Sequence, residues 1–499
     1  MRAPGNKLRR RLGWLCAGLL LGVLGIFFLR GPLTHAAITA GLQRIGAGEI
    51  KLDVTHSTPW LVELENLAFK IKAQSFAASR VTMERAHWWL PTLGEVRIEG
   101  LMLPVTIDGS DANPFAWASF AGEQPASGGG SVALPMEKLS IDGQVFVKVT
   151  GHEQPVAFKF VAQPDSSHAW TGALQATGAG LVLNAEASYE LKSKRAAFHT
   201  TTFAVEMKHW QDVVQQLVVL PLGPWTMEGR FTGAINGSYA EKKLAMGGRI
   251  RFEKGQLKNG DDSIGLSGIE SDVEFTDLIH MQSNPGTLRL RELRTGKLVA
   301  NDLDSELTFL SAEQIAVNRL TLKILGGTMT AEPFRQQLGK RELDAVVSVD
   351  GLDVEKIMAM SKDVPAKASG RVDGRLPIRL DEHGLRLGTG WLQLKKGVYA
   401  EMQLSAEGLI TSGMSPKSAG YVVMKRVESG LLRLKLGALR LDVRPPDAQR
   451  GQTARLHLEG DPVDPSIKAP VILDLNVNGP LEQLLNFGLK DNISFGTGK

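Results

Sequence analysis

The chain has 499 residues, 43% of them hydrophobic and 22% charged, a balance that excludes extended disorder. Its formal net charge of +4 misleads, because Arg2, Lys7, Arg9, Arg10, Arg11 and Arg30 put +6 and no acid into the first 30 residues and leave −2 for the rest. The body thus lacks the electrostatic footprint of a nucleic-acid binder, and one cysteine, Cys16, excludes an intramolecular disulfide or a thiolate metal cluster.

Residues 1–11 form a basic tail, which precedes an uncharged run over residues 12–29. At about 1.5 Å per residue, the helix from Leu12 through Leu20 to Leu29 would cover about 27 Å, close to a bilayer core of about 30 Å. The positive-inside rule puts the N-terminus in the cytoplasm and the body outside it. The competing reading is a cleaved signal peptide ending near Thr34-His35-Ala36, although signal peptides usually have a shorter apolar run. One helix cannot make a permease.

The body reads as strand almost throughout. Thr34–Gly48 first places Ile38, Leu42 and Ile45 on one helical face, which predicts a short helix. An N-terminal β segment then runs to residue 122, where Leu67, Phe69 and Ile71 alternate with Lys70 and Lys72. Residues 123–131, Glu-Gln-Pro-Ala-Ser-Gly-Gly-Gly-Ser, are the one linker-like stretch. Residues 132–479 form a long β domain. Within it Val145 and Val147 share a face, as do Leu181 and Leu183, then Leu320, Leu322 and Ile324, and finally Val471, Leu473 and Leu475.

Asp108-Gly109, Asp142-Gly143, Asn236-Gly237, Asn259-Gly260, Asp373-Gly374 and Asn478-Gly479 read as hairpin turns. The alternation Leu432, Leu434, Leu436 slips to Leu439, Leu441, Val443 at Gly437, which predicts a bulge or tight turn there. A unit of strand, Asx-Gly turn and short helix repeats at Val347–Met358 and Leu475–Asn486, with a weaker copy at Phe203–Val214. In the last segment, residues 480–499, Leu481, Leu484, Leu485 and Leu489 make an apolar helical stripe. That stripe would cap the terminal sheet edge or form a movable cover over the strand starting at Val471, which could then accept a partner strand.

Chemistry is absent from the pattern. The ten histidines make no metal-ligand spacing, and there is no Gly-x-Ser-x-Gly elbow and no phosphate-binding P-loop. The expectation is a non-enzymatic protein without cofactor or metal. Trp88 and Trp89 are candidates for a membrane interface or groove mouth.

Three segments in order, Leu325-Gly-Gly-Thr-Met-Thr-Ala-Glu-Pro-Phe, Gly351-Leu-Asp-Val-Glu-Lys-Ile and Gly370-Arg-Val-Asp-Gly-Arg-Leu-Pro-Ile-Arg-Leu, resemble the YdbH family of the AsmA-like group, over about residues 321–394 and more loosely beyond. The resemblance implies an elongated, curved antiparallel sheet forming an apolar groove, tethered to the inner membrane with its body in the periplasm. It also implies a bridge carrying phospholipid between inner and outer membranes, with a small YnbE-like outer-membrane lipoprotein as partner. A dicarboxylate-transport label attached to this type of domain is set aside, because no anion-binding cluster is obvious in the sequence. The physics agrees: about 25–30 strands at about 4.8 Å spacing would extend roughly 120–145 Å. A greasy face would spare acyl chains about 25 cal/mol per Å² of exposure. The alternative reading is an envelope scaffold or outer-membrane assembly modulator acting through protein contacts.

Overall fold

The computed structural model describes residues 31–478 apart from 44–46, 72–73, 87–92, 107–135, 150–151, 167–168, 218–224, 242, 261–262, 297, 339, 341, 360–365, 382–383, 405–410, 412–413, 448–450 and 466. The basic tail, the apolar run 12–29, the linker, Trp88 and Trp89, Asp108-Gly109 and residues 480–499 therefore lie outside the described residues. No helix among the described residues is long and apolar enough to cross a membrane.

The described residues are mostly β, 74% of them strand, in open curved sheet with few helices. The chain separates into two compact units, Met1–Leu217 with Gly233–Met246, and Val218–Thr232 with Gly247–Lys499. The described residues hold 27 strands, within the expected 25–30.

The first unit opens with helix α1, residues 31–43. Within the predicted Thr34–Gly48, residues 34–43 are helix and strand begins at Ala47. Strands follow as β1 (Ala47–Ser57), β2 (Leu61–Ile71), β3 (Gln74–Arg85), β4 (Leu93–Thr106), β5 (Met136–Val149), β6 (His152–Ser166), β7 (Ala169–Gly178), β8 (Leu181–Glu190) and β9 (Arg195–Glu206). Each pairs with the next. All these pairs are antiparallel except β4 with β5, which run parallel, from Leu93↔Met136 to Thr106↔Lys148. That departs from the all-antiparallel expectation, and the cause is the long connection of residues 107–135, since a parallel pair cannot be joined by a tight turn. A 3₁₀ turn (Met207–His209) and α2 (Gln211–Leu217) end the run, and Trp210 fixes their start by donating from Nε1 to Ala179 O at 2.9 Å. Strand β10 (Trp225–Ala240) has residues in both units.

The second unit continues with β11 (Lys243–Asn259), β12 (Ile264–Asp277), β13 (Gln282–Ser283), β14 (Gly286–Thr295), β15 (Leu298–Ser311), β16 (Gln314–Ile324), β17 (Gly327–Ala331), β18 (Phe334–Gln337) and β19 (Leu343–Asp353). After helix α3 (Val354–Ala359) come β20 (Ala366–Ser369), β21 (Arg371–Asp381), β22 (Gly384–Leu387), β23 (Gly390–Leu394) and β24 (Glu401–Leu404). Helix α4 (Ala419–Leu432), β25 (Arg433–Asp447), β26 (Gly451–Pro462) and β27 (Val471–Asn478) close the described chain. The main path of antiparallel pairing runs β11, β12, β14, β15, β16, β17, β19, β21, β23, β25, β26, β27.

The Asx-Gly readings divide. Asn259-Gly260 does turn between β11 and β12, and Asn478 ends β27, but Asp142-Gly143, Asn236-Gly237 and Asp373-Gly374 lie in mid-strand. At these three, glycine is needed for close approach instead: an added Cβ would lie 2.1 Å from Leu101 O at Gly143, 2.2 Å from Trp391 O at Gly374 and 2.5 Å from the Phe198 ring at Gly237. A strand leads into a short helix at β19–α3 and, through the 3₁₀ turn, at β9–α2, but Asp350-Gly351, read as the unit's turn, is a bulge within β19, and the copy at Leu475–Asn486 runs beyond the described residues.

Candidate functional site

Side chains directly opposite each other on paired strands share a face, so the registers define rows across each sheet. In the first unit one row runs Val54, Leu64, Val81, Ile98, Ile141, Phe160, Leu174, Ala185 and reaches a polar residue only at Thr200 on β9. A parallel row runs Leu101, Gly143, Phe158, Ala176, Leu183, Phe203. A third joins Leu103, Val145 and Val156, then Gly178, Leu181 and Val205. Gly178 fits there because a Cβ on it would press on the Val156 Cα at 3.0 Å.

The second unit repeats the arrangement. One row runs Leu322, Met329, Val349, Gly374, Leu392, Leu441, Leu456, Leu475, eight successive strands without a polar side chain. Beside it lie Leu320, Ala331, Val347, Leu376 on one side and Leu439, Leu458, Leu473 on the other. The buried clusters of this face draw on successive strands, with α3 adding Ile357 to one of them. Leu434 (0% exposed) and Leu458 (1%) meet Leu394, Met402, Val471 and Leu473, and Val347 and Leu376 meet Leu320, Ile378 and Leu441. Ile38 of α1 and Ile357 of α3 touch the apolar face at separate places. In these clusters no second strand layer covers it, so the apolar side chains shield one another within a single curved layer.

The opposite face is charged and self-neutralised. Asp272 accepts both arms of Arg249, at 2.6 and 2.7 Å, and Arg251 at 3.1 Å. Asp304 sits between Arg289 (3.2 Å) and Arg319 (2.9 Å), and Asp474 between Arg455 (3.2 Å) and His457 (3.1 Å). The hydrogen bond from Arg249, opposed by partial burial and aided by its charge and that of Arg251, holds the Asp272 carboxyl below its ordinary range. His457, with Arg455, does the same to Asp474. In the first unit Glu95 bridges Arg97 and Lys138 at 3.2 Å each, and Arg80 meets Glu65 at 3.1 Å. One face is therefore greasy and the other wet, along both units.

Bulges keep the two faces separate where the period slips. Gly437 is such a site, as predicted: the register shifts between Leu436 and Ala438, and Leu436 and Leu439 stay on one face. Gly351 (φ +65°) does the same between Val349 and Leu352, both buried, and Gly100 (φ +63°) between Ile98 and Leu101. Each of these two glycines turns its N–H towards the Asp of the neighbouring strand's Asp-Gly pair, Gly351 N to Asp373 Oδ1 at 2.8 Å and Gly100 N to Asp142 Oδ2 at 3.4 Å. A bulge bends and twists its strand, which suits a curved sheet.

A second feature escaped sequence reading. A cavity of about 1040 Å³ in the second unit is lined by Arg291, Lys323, Lys356, Arg371 and Lys395, by Asp302 and Asp350, and by Ile324, Leu325, Gly326, Gly327, Thr328 and Gly351. Lys323 pairs with Asp302 at 2.9 Å and Lys395 with Asp350, which holds the lysine above and the aspartate below its ordinary value. Arg371 Nη1 donates to Gly326 O and Gly351 O, both at 2.9 Å. Its cations come from residues 291–395, so no local run betrays them; the only hint was that Leu325-Gly-Gly-Thr, Gly351…Lys356 and Arg371 belong to the three segments that carry the family resemblance.

Of the predicted residues, Val145, Val147, Leu181, Leu183, Leu320, Leu322, Ile324 and Leu473 are on the apolar face with buried or half-buried side chains, and Leu475 takes its register position there. Val471 begins β27, which among the described residues pairs only with β26, and packs beside Leu434 and Leu458. Leu12, Leu20, Leu29, Leu481, Leu484 and Leu485 lie outside the described residues. Among the described residues no group of three or more His, Cys, Asp or Glu could hold a metal ion.

No curated protein and no solved structure matches the chain. A continuous greasy face backed by a charged one agrees with the one comparison that does match: the YdbH-like family model, described as the intermembrane phospholipid transport protein YdbH, covers residues 32–397, and the chain belongs to that family.

Proposed function

We propose that this protein carries phospholipid between membranes along the apolar face, with acyl chains lying across the rows and the headgroup kept at the wet margin. The unbroken row from Leu322 to Leu475 is the observation that carries the reading. Each methylene taken out of water is worth about 0.8 kcal/mol, so a lipid leaving a bilayer needs apolar contact at every step. A face without polar interruption offers a path with no high barrier, and movement along it needs no chemical step in this chain.

In this reading residues 12–29 anchor the chain in the inner membrane, the body lies in the periplasm, and the path leads towards the outer membrane. The edge of β27 away from β26, unpaired among the described residues, would take a strand from a YnbE-like lipoprotein, since an open edge offers unpaired N–H and C=O groups. The test is site-specific photocrosslinking. A photoreactive residue at Leu183 or Leu322 should capture phospholipid in cells, while the same group at Arg319, on the charged face, should not. Equal capture at both faces, or none at the apolar one, would leave the protein as an envelope scaffold.

A further inference from the structure

The cavity between β14, β16, β17, β19, β21 and α3 is unused by acyl-chain transport, and its chemistry differs from the rest of the charged face. There, carboxylates sit between cations and cancel them. Here the lining holds five cations and two carboxylates, with a third carboxylate, Asp373, 3.7 Å from Lys395 Nζ. Asp302 and Asp350 occupy Lys323 and Lys395. Arg371 spends Nη1 on two backbone carbonyls and keeps three N–H groups without a partner among the described residues. The side chains of Arg291 and Lys356 make no hydrogen bond or ion pair among the described residues. The cations also crowd bare backbone. A Cβ on Gly351 would lie 3.7 Å from both Arg371 Nη1 and Lys395 Nζ, and one on Gly326 would lie 3.3 Å from Lys356 Nζ.

The cavity borders the greasy face. Ile324 and Leu325 line it and also pack against the buried Val349, Leu352 and Val372. Helix α3 divides the two environments, with Ile357 in that apolar cluster and Lys356 in the cavity. A planar guanidinium fork and two mobile ammonium or guanidinium groups beside small residues suit a compact oxyanion that offers two free oxygens, such as a phosphodiester. The volume of about 1040 Å³ is at the upper end of ordinary ligand pockets, large enough for a phosphate with its glycerol.

We propose that this cavity is a phosphate site that holds the phosphodiester of a phospholipid while its acyl chains rest on the adjoining apolar rows. This rests on the lipid-carrier reading. The phosphate chemistry is shared with free phosphate, and the experiment separates the two sources.

The full chain is purified in detergent with a photoreactive residue at Val299, in the cavity wall, or at Leu322, on the apolar face. Phosphatidylglycerol and a diacylglycerol of identical acyl chains are the probes. Position 299 should capture phosphatidylglycerol about tenfold better than diacylglycerol. The double variant Arg291→Gln, Lys356→Gln should bring that ratio close to one and leave diacylglycerol capture at Leu322 unchanged, which also reports that the sheet is folded. Absence of headgroup preference in the unmodified chain, or its survival in the double variant, overturns the phosphate site while capture at Leu322 keeps the carrier reading. If neither lipid is captured at Leu322, the carrier reading fails. Titration with inorganic phosphate then decides the site: binding lost in the double variant supports it with free phosphate as ligand, and no binding overturns it.

Discussion

Asp272 shows what a single side chain on the wet face contributes. Its carboxylate is 29% exposed and clamps Arg249 and Arg251, which are 58% and 50% exposed, so solvent screens the attraction and its net worth is under about 1 kcal/mol. The sign of its pH dependence is nevertheless fixed. A carboxyl held below the ordinary Asp value of 3.8 stabilises the fold above that value and loses the contribution as pH falls through the lower native one. Asp272→Asn should therefore lower the urea midpoint slightly at pH 7, and the gap from the unmodified protein should close as the pH falls below the ordinary Asp value and through the lower native one. A gap that persists or widens in acid would mean that the carboxylate acts through packing rather than charge.

At the scale of the strand, the bulges decide which residues reach the greasy face. A one-residue slip exchanges the two faces of everything beyond it, and Gly351 prevents this between Val349 and Leu352. Gly351→Ala forces an L-residue to φ +65°, at about 1–2 kcal/mol. Gly374→Ala should be at least as harmful, because its Cβ would lie 2.2 Å from Trp391 O and would part β21 from β23. Gly265→Ala, where nothing lies within 4 Å, is the matched control and should be nearly neutral. Urea midpoints of the three variants check the order; Gly265→Ala matching the other two would remove the bulge argument.

The same elements show how far the sequence could be read. Period-two alternation placed Leu183 and Leu322 on the apolar face, and the slip from Leu436 to Leu439 located the bulge at Gly437, because both signals are local. Asp142-Gly143 and Asp373-Gly374 were misread as turns because their cause is not local. The aspartate answers a glycine on the neighbouring strand, and the glycine yields to a backbone across the ladder. The cations at 291, 323, 356, 371 and 395 were invisible as a group for the same reason, since only strand pairing brings them to one cavity. The parallel β4–β5 pair follows from a long connection whose consequence for direction no periodicity encodes.

At the scale of the whole molecule, the proposed carriage along a face would be a process in series, with a tolerance to damage unlike that of a binding site or a scaffold. An aspartate on the floor holds water that each passing acyl chain must displace, and burying its charge against methylenes costs several kcal/mol. One such barrier throttles the flow wherever it stands, because every lipid must pass it. Leu183→Asp, in the first unit, and Leu322→Asp, in the second, should each reduce phospholipid transfer between donor and acceptor membranes by about tenfold or more. Leu183 is half-buried and Leu322 is 8% exposed, so folding is followed by circular dichroism, and Leu183→Asn serves as the uncharged comparison. The double variant should be little worse than the poorer single one, since flow already limited at one step loses little at another. Independent contributions would instead multiply. Multiplicative losses would indicate separate sites, and undiminished transfer in either charged variant would show that lipid does not travel on this face.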